Sequence, residues 1–328
     1  MEFEAPPPPE SAAELLPKEA DSFGEGLWNV LTEAVKLADP AFAEAAKCCL
    51  RAFAAVLLTA LVRQFAPEGA SGAAELAGVA AVAAVLLEPS ASMIELGVRS
   101  VRELRDYGKL LLGVLASALA ARGGVNRSAA LYVGTAFFDG ILGGAVTAVF
   151  LPMLWLYVAL SIAHCAVGDA MLERLKTLLS WAMGWALKLT LYLFTGYMTV
   201  TGVVSGTADA AAGKAARIAI SGAVPVVGGI LSDAADTVLL SAAALGSGAG
   251  IWGILTVLAV FCAPAIRIGS QYLMLRLTAA VGESLGKMRC AALIGDLAGA
   301  LGLLMALVST QAVLLLISAV CFLRGVGA

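Results

Sequence analysis

The sequence predicts an all-α fold: a polytopic helical membrane protein with six to eight membrane segments, some of them short or re-entrant. Hydrophobic residues make up 60% of the 328 residues and charged residues only 14%, whereas soluble domains usually carry about 25% charged residues. Mean hydropathy is +0.91. The longest apolar runs do not alternate as the strands of a membrane barrel would, so helices must satisfy the backbone groups in lipid.

The first 43 residues are predicted to form an acidic, Pro-rich segment outside the membrane. They hold nine acidic and two basic side chains, and they begin MEFEAPPPPE. Consecutive prolines favour an extended, solvated chain, and the acids keep this segment in water. Residues 44–328 are predicted to form the helical membrane domain.

The N-terminal half of that domain has only short uncharged runs, of about a dozen residues each. A membrane-spanning helix needs about 20 predominantly apolar residues. Runs of this length therefore fit three kinds of structure: tilted helices with snorkelling ends, interfacial helices and half-membrane hairpins. The runs are residues 52–62, 76–87 and 110–121.

Residues 93–109, between the second and third runs, are predicted to form an amphipathic surface helix. Ile94, Val98 and Val101 share one helical face. Charged side chains surround the other face, as in a helix that lies on a membrane surface. These charged residues are Arg99, Arg102, Glu103 and Asp106.

Four runs in the C-terminal half are long enough to cross a membrane, and two ionisable residues interrupt or border them. Lys188 is the single charge inside the second run, and Asp139 directly precedes the first. An ionisable residue at membrane depth is a functional-site hypothesis by default. Lys188 also fits a snorkelling position at an interface, and Asp139 also fits a hinge or a helix end. The runs are residues 140–168, 177–204, 237–266 and 297–323.

Residues 206–238 are predicted to form a broken-helix hairpin. A proline and glycines interrupt the helical pattern at residues 222–229, and pairs of like charges precede and follow the break. If the two arms fold back on each other, the cationic and anionic faces can pair. A re-entrant hairpin against a cavity and an ordinary extramembrane loop both stay open. The candidate residues are Asp209, Lys214, Arg217, Pro225, Gly228, Gly229, Asp233 and Asp236.

Nothing in the sequence supports catalysis. Asp169 and Asp296 each follow a glycine, as in intramembrane aspartyl proteases, but the first glycine of that G-x-G-D motif is missing in both places. Asp169 also opens an amphipathic helix, where an acidic residue is favoured by the helix dipole. His164 is the single histidine and cannot form a metal site alone. We expect no catalytic residue, no metal site and no cofactor.

Residues 207–239, TADAAAGKAARIAISGAVPVVGGILSDAADTVL, resemble the most characteristic segment of the stage III sporulation protein AE family. In that family a VPVVG motif is followed by SDA-DTVL, then by an apolar helix and a P-A-[IV]-[RK]-I stretch. The last element stands here as Pro-Ala-Ile-Arg-Ile at residues 264–268. The pattern is long and its unusual residues occur in the same order.

The resemblance implies a sporulation-specific membrane subunit with a permease-like or scaffold role. It implies a multi-pass location in the mother-cell-derived membrane around the forespore, in a trans-envelope channel or secretion-like complex. The implied partners are the other membrane proteins of the same sporulation operon, besides the lipid bilayer, and a homo-oligomer stays open. A free-standing secondary transporter is the alternative. No basic patch is interleaved with aromatic residues, so we expect no nucleic-acid partner.

Overall fold

The protein is almost entirely helical in the residues that the computed structural model describes, which are 6–13, 15–16, 23–65, 67, 70–121, 125–200, 248–285 and 288–327. No β-strand occurs in these ranges, so the predicted all-α class is confirmed. The helices are α1 (Glu10–Ala13), α2 (Phe23–Phe65), α3 (Ser71–Ala121), α4 (Val125–Ala145), α5 (Leu151–Val167), α6 (Ala170–Val200), α7 (Gly248–Ser284) and α8 (Arg289–Gly327); a π-helical turn, Val146–Phe150, joins α4 to α5.

Five segments of the described chain are long and apolar enough to cross a membrane, and the chain is a helical membrane protein. They are Gly24–Phe65, Ser71–Ala121, Leu131–Val167, Trp252–Ser284 and Arg289–Leu323. The last three correspond to predicted spans. The predicted span 177–204 falls on α6, which is not among the five, because polar side chains including Lys188 lower its hydropathy. Residues 201–247 lie outside the described ranges, so the predicted total of six to eight is not tested there.

The short N-terminal runs are parts of two long helices. Runs 76–87 and 110–121 both lie in α3, which is 51 residues long, or about 75 Å. Run 52–62 lies in α2, which is 43 residues long. Because α2 also continues through residue 43, no helix boundary coincides with the predicted division there, and that division stays a prediction.

The separate surface helix predicted at residues 93–109 is wrong, although the amphipathic pattern is real. This stretch is the middle of α3, and its apolar residues Ile94, Val98 and Val101 are buried in the protein core. The helix continues through this stretch because most of its charged side chains lie on the other side of it. The apolar face therefore packs on neighbouring helices and not on a membrane surface.

Helix α3 runs parallel to α8 at very short range. A Cβ atom added to Gly97 would lie 2.6 Å from Cδ1 of Leu304, and one added to Gly108 would lie 2.8 Å from Cδ1 of Leu315. Each pair differs by 207 in sequence number, which fixes the register of the two helices. Both glycines are therefore needed to let α8 leucines reach the α3 backbone.

Helices α7 and α8 form an antiparallel pair at the centre of the bundle. Gly282 faces Ala291, and Gly302 faces the ring of Tyr272. The most apolar windows of these two helices are 83% and 72% buried inside the protein, compared with 28% to 39% for the other three candidate spans. Because they are covered by the other helices, α7 and α8 form the core against which the functional residues are held.

Candidate functional site

An ion pair connects α3 and α4 inside the bundle. Asp139 Oδ2 lies 3.4 Å from Nε of Arg105. The Asp139 side chain is 13% exposed and that of Arg105 is 32% exposed. Removing charges from water is costly, and a buried carboxylate is tolerated only where a cation and hydrogen bonds compensate it.

Gln311 of α8 supplies such a hydrogen bond. Its Nε2 group donates to Oδ1 of Asp139 at 2.6 Å, and Gln311 is completely buried. One carboxylate thus joins three helices: α3 through Arg105, α4 through its own backbone and α8 through Gln311. These three residues, Arg105, Asp139 and Gln311, are called the polar centre below.

Local sequence makes room for the Arg105 side chain. Gly143 lies one turn after Asp139 on the same face of α4, and a Cβ atom added to it would lie 2.6 Å from Nη1 of Arg105. Any larger residue at this position would displace the guanidinium group from the carboxylate. Residues at i and i+4 of a helix share a face, so the Asp139–Gly143 spacing provides both the acid and the space for its partner.

The polar centre retains unused hydrogen-bonding capacity. Oε1 of Gln311 and Oγ1 of Thr135 are buried and have no hydrogen-bond partner among the described residues. Thr135 lies one turn before Asp139 and is 0% exposed. Leaving such a group unsatisfied costs about 1–3 kcal/mol. These oxygens are therefore positioned to accept a hydrogen bond from a water molecule or a polar solute.

A second ion pair lies nearer the end of the bundle where α8 begins. Nζ of Lys176 in α6 lies 2.6 Å from Oδ2 of Asp296 in α8, and the side chains are 12% and 19% exposed. Sγ of Cys165 is 3.9 Å from the same oxygen. Asp296 follows Arg289 by seven residues, about 10 Å along the helix. This pair fastens α6 to the core.

A cluster of charges joins the helix ends at the same end of the bundle. Glu75 of α3 accepts a hydrogen bond from the backbone N–H of Arg289 at 3.1 Å, and its carboxylate lies 3.8 Å from both the Arg289 and Arg63 guanidinium groups. Arg289 Nη1 also donates to the carbonyl of Ala166 at 3.3 Å. The chain leaves α5 through Gly168 at φ 80°, a conformation that favours glycine.

The predicted site residues have different outcomes. Asp139 lies within α4, before its end at Ala145, and is a member of the polar centre. Lys188 is half-buried on α6, and its side chain forms no ion pair with any of the described residues. The hairpin residues between Asp209 and Asp236, and residues 206–238 as a whole, lie outside the described residues, so their pairing stays a prediction.

Asp169 and Asp296 bond to different groups. Asp169 is exposed, and its carboxylate accepts a hydrogen bond from the backbone N–H of Met171 at 2.9 Å, as expected for a residue that caps the N-terminus of α6. Asp296 is instead paired with Lys176. The role of Asp169 at the start of a helix agrees with the sequence interpretation.

The sequence interpretation missed Arg105, Gln311 and Lys176. A signal for Arg105 was present, because Ile94, Val98, Val101 and Arg105 follow one helical spacing, which places the arginine on the buried face. Gln311 is an amide in the middle of the uncharged run 297–323. Lys176 carried no comparable signal, since its amphipathic surroundings suit an exposed lysine equally well.

The comparisons with known proteins agree with the sequence resemblance. The sequence model of one protein family, described as Stage III sporulation protein AE, matches residues 20–325. Among curated proteins, the chain is similar to Stage III sporulation protein AE of Bacillus subtilis (strain 168), with 25% identity over 193 residues. That alignment covers 59% of this chain and 48% of the relative, so the chain spans about half the length of the curated relative it matches. No solved structure matches the chain.

Proposed function

Because the chain belongs to the stage III sporulation protein AE family, we propose that it is a membrane subunit of a sporulation-specific channel or secretion-like complex between mother cell and forespore. Family membership supports a role in sporulation. The finer proposal includes a location in the mother-cell-derived membrane around the forespore. It also includes a permease-like or scaffold role without enzymatic activity.

The observation that carries the proposal is the extent of the family match together with the surface of the bundle. The match covers residues 20–325, and one face of α6 exposes large apolar side chains while Lys176 on the same helix lies inward. Leu178, Trp181 and Trp185 are 57%, 62% and 53% exposed. An apolar outer surface is what a helix needs in contact with lipid or with another membrane subunit.

The polar centre supports the permease-like role over a purely structural one. Ionisable residues inside membrane bundles commonly mark pathways for ions or substrates. Arg105 and Asp139 are held together with a completely buried amide from α8. A scaffold could use the same packing without these groups, since apolar residues of similar volume often stabilise a core as well or better.

The proposal is tested by affinity purification from sporulating cells. The tagged full-length chain is extracted in mild detergent, and an unrelated tagged multi-span protein of the same cells is the control. We expect the other membrane proteins of the same operon to co-elute with the chain and not with the control. Recovery of the chain without them, at equal extraction, would overturn the proposal.

A free-standing secondary transporter is the second candidate, and the polar centre is the observation that favours it. Such a transporter would work without partners. The purified chain alone, reconstituted in lipid vesicles, would then move a solute, and Asp139→Asn would abolish that movement. Co-elution of the operon's proteins together with inactive vesicles favours the complex subunit instead.

A further inference from the structure

The outward side of α3 carries charge along the middle of the helix. Glu95 is 75% exposed and Arg99 is 64% exposed, and they pair at 3.3 Å. Asp106 and Lys109, exposed by 73% and 54%, pair at 3.1 Å. The charged face of α3 is defined as Glu95, Arg99, Arg102, Glu103, Asp106 and Lys109.

The register between α3 and α8 places this face at membrane depth. Gly97 packs on Leu304 and Gly108 on Leu315, so residues 95–109 lie level with residues 302–316. These are the middle of the uncharged run 297–323 in the candidate span Arg289–Leu323. That run is about 40 Å long, more than the roughly 30 Å of a hydrocarbon core, so its middle lies within the core.

The N-terminal segment gives a second observation, at the level of the bundle that the register assigns to Glu103. Ser11 Oγ donates a hydrogen bond to Oε2 of Glu103 at 2.6 Å. Residues 6–9, which directly precede α1, are not helical, and Pro7 and Pro8 are exposed. Non-helical backbone at membrane depth does not face lipid; it occurs where it is buried in protein or lines a water-filled cavity.

Lipid is therefore excluded as the neighbour of the charged face. Each arginine, lysine or aspartate at the centre of a membrane helix costs about 2.5–3.5 kcal/mol on insertion scales, and this face carries six charges. Burial against another protein would also require new partners for each ion, at several kcal/mol per ion. The pairs Glu95–Arg99 and Asp106–Lys109 both form within α3, so contact with water is enough to solvate these ions.

We propose that the charged face of α3 forms one wall of a water-filled passage through the membrane. This inference rests on the proposed function, because neighbouring subunits of the complex must supply the remaining walls. The face has three acids and three bases, so its net charge is zero. A wall of this kind admits hydrophilic solutes and does not select them by the sign of their charge.

Cysteine accessibility in native membranes tests the passage. Arg99→Cys and Asp106→Cys probe the charged face, while Phe137→Cys and Ile141→Cys are controls. Phe137 and Ile141 are exposed apolar residues of α4 on either side of Asp139, so they lie at the same depth. Each full-length variant is treated in sporulating-cell membranes with a membrane-impermeant sulfonated maleimide, and the labelling of the wild-type chain is subtracted.

We expect the two charged-face variants to react at least tenfold faster than the α4 controls. Labelling in denaturant establishes that equal amounts of each thiol are present, and co-elution in the affinity purification identifies folded variants. Equal, slow labelling at all four positions in variants that co-elute would overturn the passage while leaving the complex intact. If the wild-type chain fails to co-elute with the operon's proteins but the two charged-face variants are labelled fast, the proposed complex is overturned, while the contact of the charged face with water is retained.

Discussion

Replacing Asp139 by leucine should destabilise the bundle because it leaves two buried groups without their acceptor. The Arg105 guanidinium loses the carboxylate 3.4 Å away, and the Gln311 amide loses its 2.6 Å hydrogen bond. Removing one partner of a buried ion pair costs about 3–5 kcal/mol. Arg105 is 32% exposed, so water recovers part of this energy, and we expect a loss of about 2–4 kcal/mol in the free energy of unfolding.

The measurement is denaturant unfolding of the purified chain in detergent, followed by helical circular dichroism. Asp106→Leu is the matched control, because Asp106 is 73% exposed and should change the free energy of unfolding by no more than about 0.5 kcal/mol. The double variant Arg105→Met with Asp139→Leu removes the unpaired cation. It should therefore be more stable than Asp139→Leu alone, although Gln311 still lacks its acceptor.

Two results would refute this reasoning. If Asp139→Leu changes stability no more than Asp106→Leu does, the carboxylate is not buried in the way the bundle places it. If the effects of Arg105→Met and Asp139→Leu add to within about 0.5 kcal/mol, the two side chains are not energetically coupled. In either case the polar centre would not be a unit that joins α3, α4 and α8.

Two further predictions concern the polar centre and the Lys176–Asp296 pair and use the same unfolding measurement. Gly143→Ala should lower stability by about 1–3 kcal/mol, because its Cβ would lie 2.6 Å from Nη1 of Arg105. A Cβ at Gly140 would meet nothing within 4 Å, so Gly140→Ala should be neutral or slightly stabilising; a larger loss of stability for Gly140→Ala than for Gly143→Ala would contradict the packing. Lys176→Met should destabilise by about 2–4 kcal/mol by leaving Asp296 unpaired, and adding Asp296→Leu should recover most of that loss; a double variant less stable than Lys176→Met would show that the pair is not the source.

Helical periodicity in the sequence identified the buried face of α3, but the pattern was not extended to the next position, Arg105. The spacing of Ile94, Val98 and Val101 predicts the face that packs in the core, and the next position with this spacing is Arg105. From composition alone, every charged side chain is expected to be exposed to solvent. Only the partner that a charge meets decides whether it is exposed, as Arg99 is, or inside the bundle, as Arg105 is.

The lengths of uncharged runs correctly indicated candidate spans for three of the four C-terminal runs, all except 177–204, and were a poor guide in the N-terminal half. Runs 140–168 and 297–323 correspond to candidate spans, because lipid contact demands an unbroken apolar surface over a fixed length. Runs 76–87 and 110–121 are parts of one helix, because most of the charges between them lie on its exposed side, and Arg105, on the buried side, is paired with Asp139. A charge ends a hydropathy window but does not end a helix.

The sequence by itself determined that this protein is a helical membrane protein and to which family it belongs, because apolar content, helical period and the ordered motif of residues 207–239 are properties of local sequence. The tertiary structure alone decided which polar groups meet. Asp139 is bound to Gln311, 172 residues away, and Lys176 to Asp296, 120 residues away. Such pairs depend on how far one helix is shifted along another, and that shift is set by contacts such as Gly97 on Leu304, between residues that are distant in the sequence.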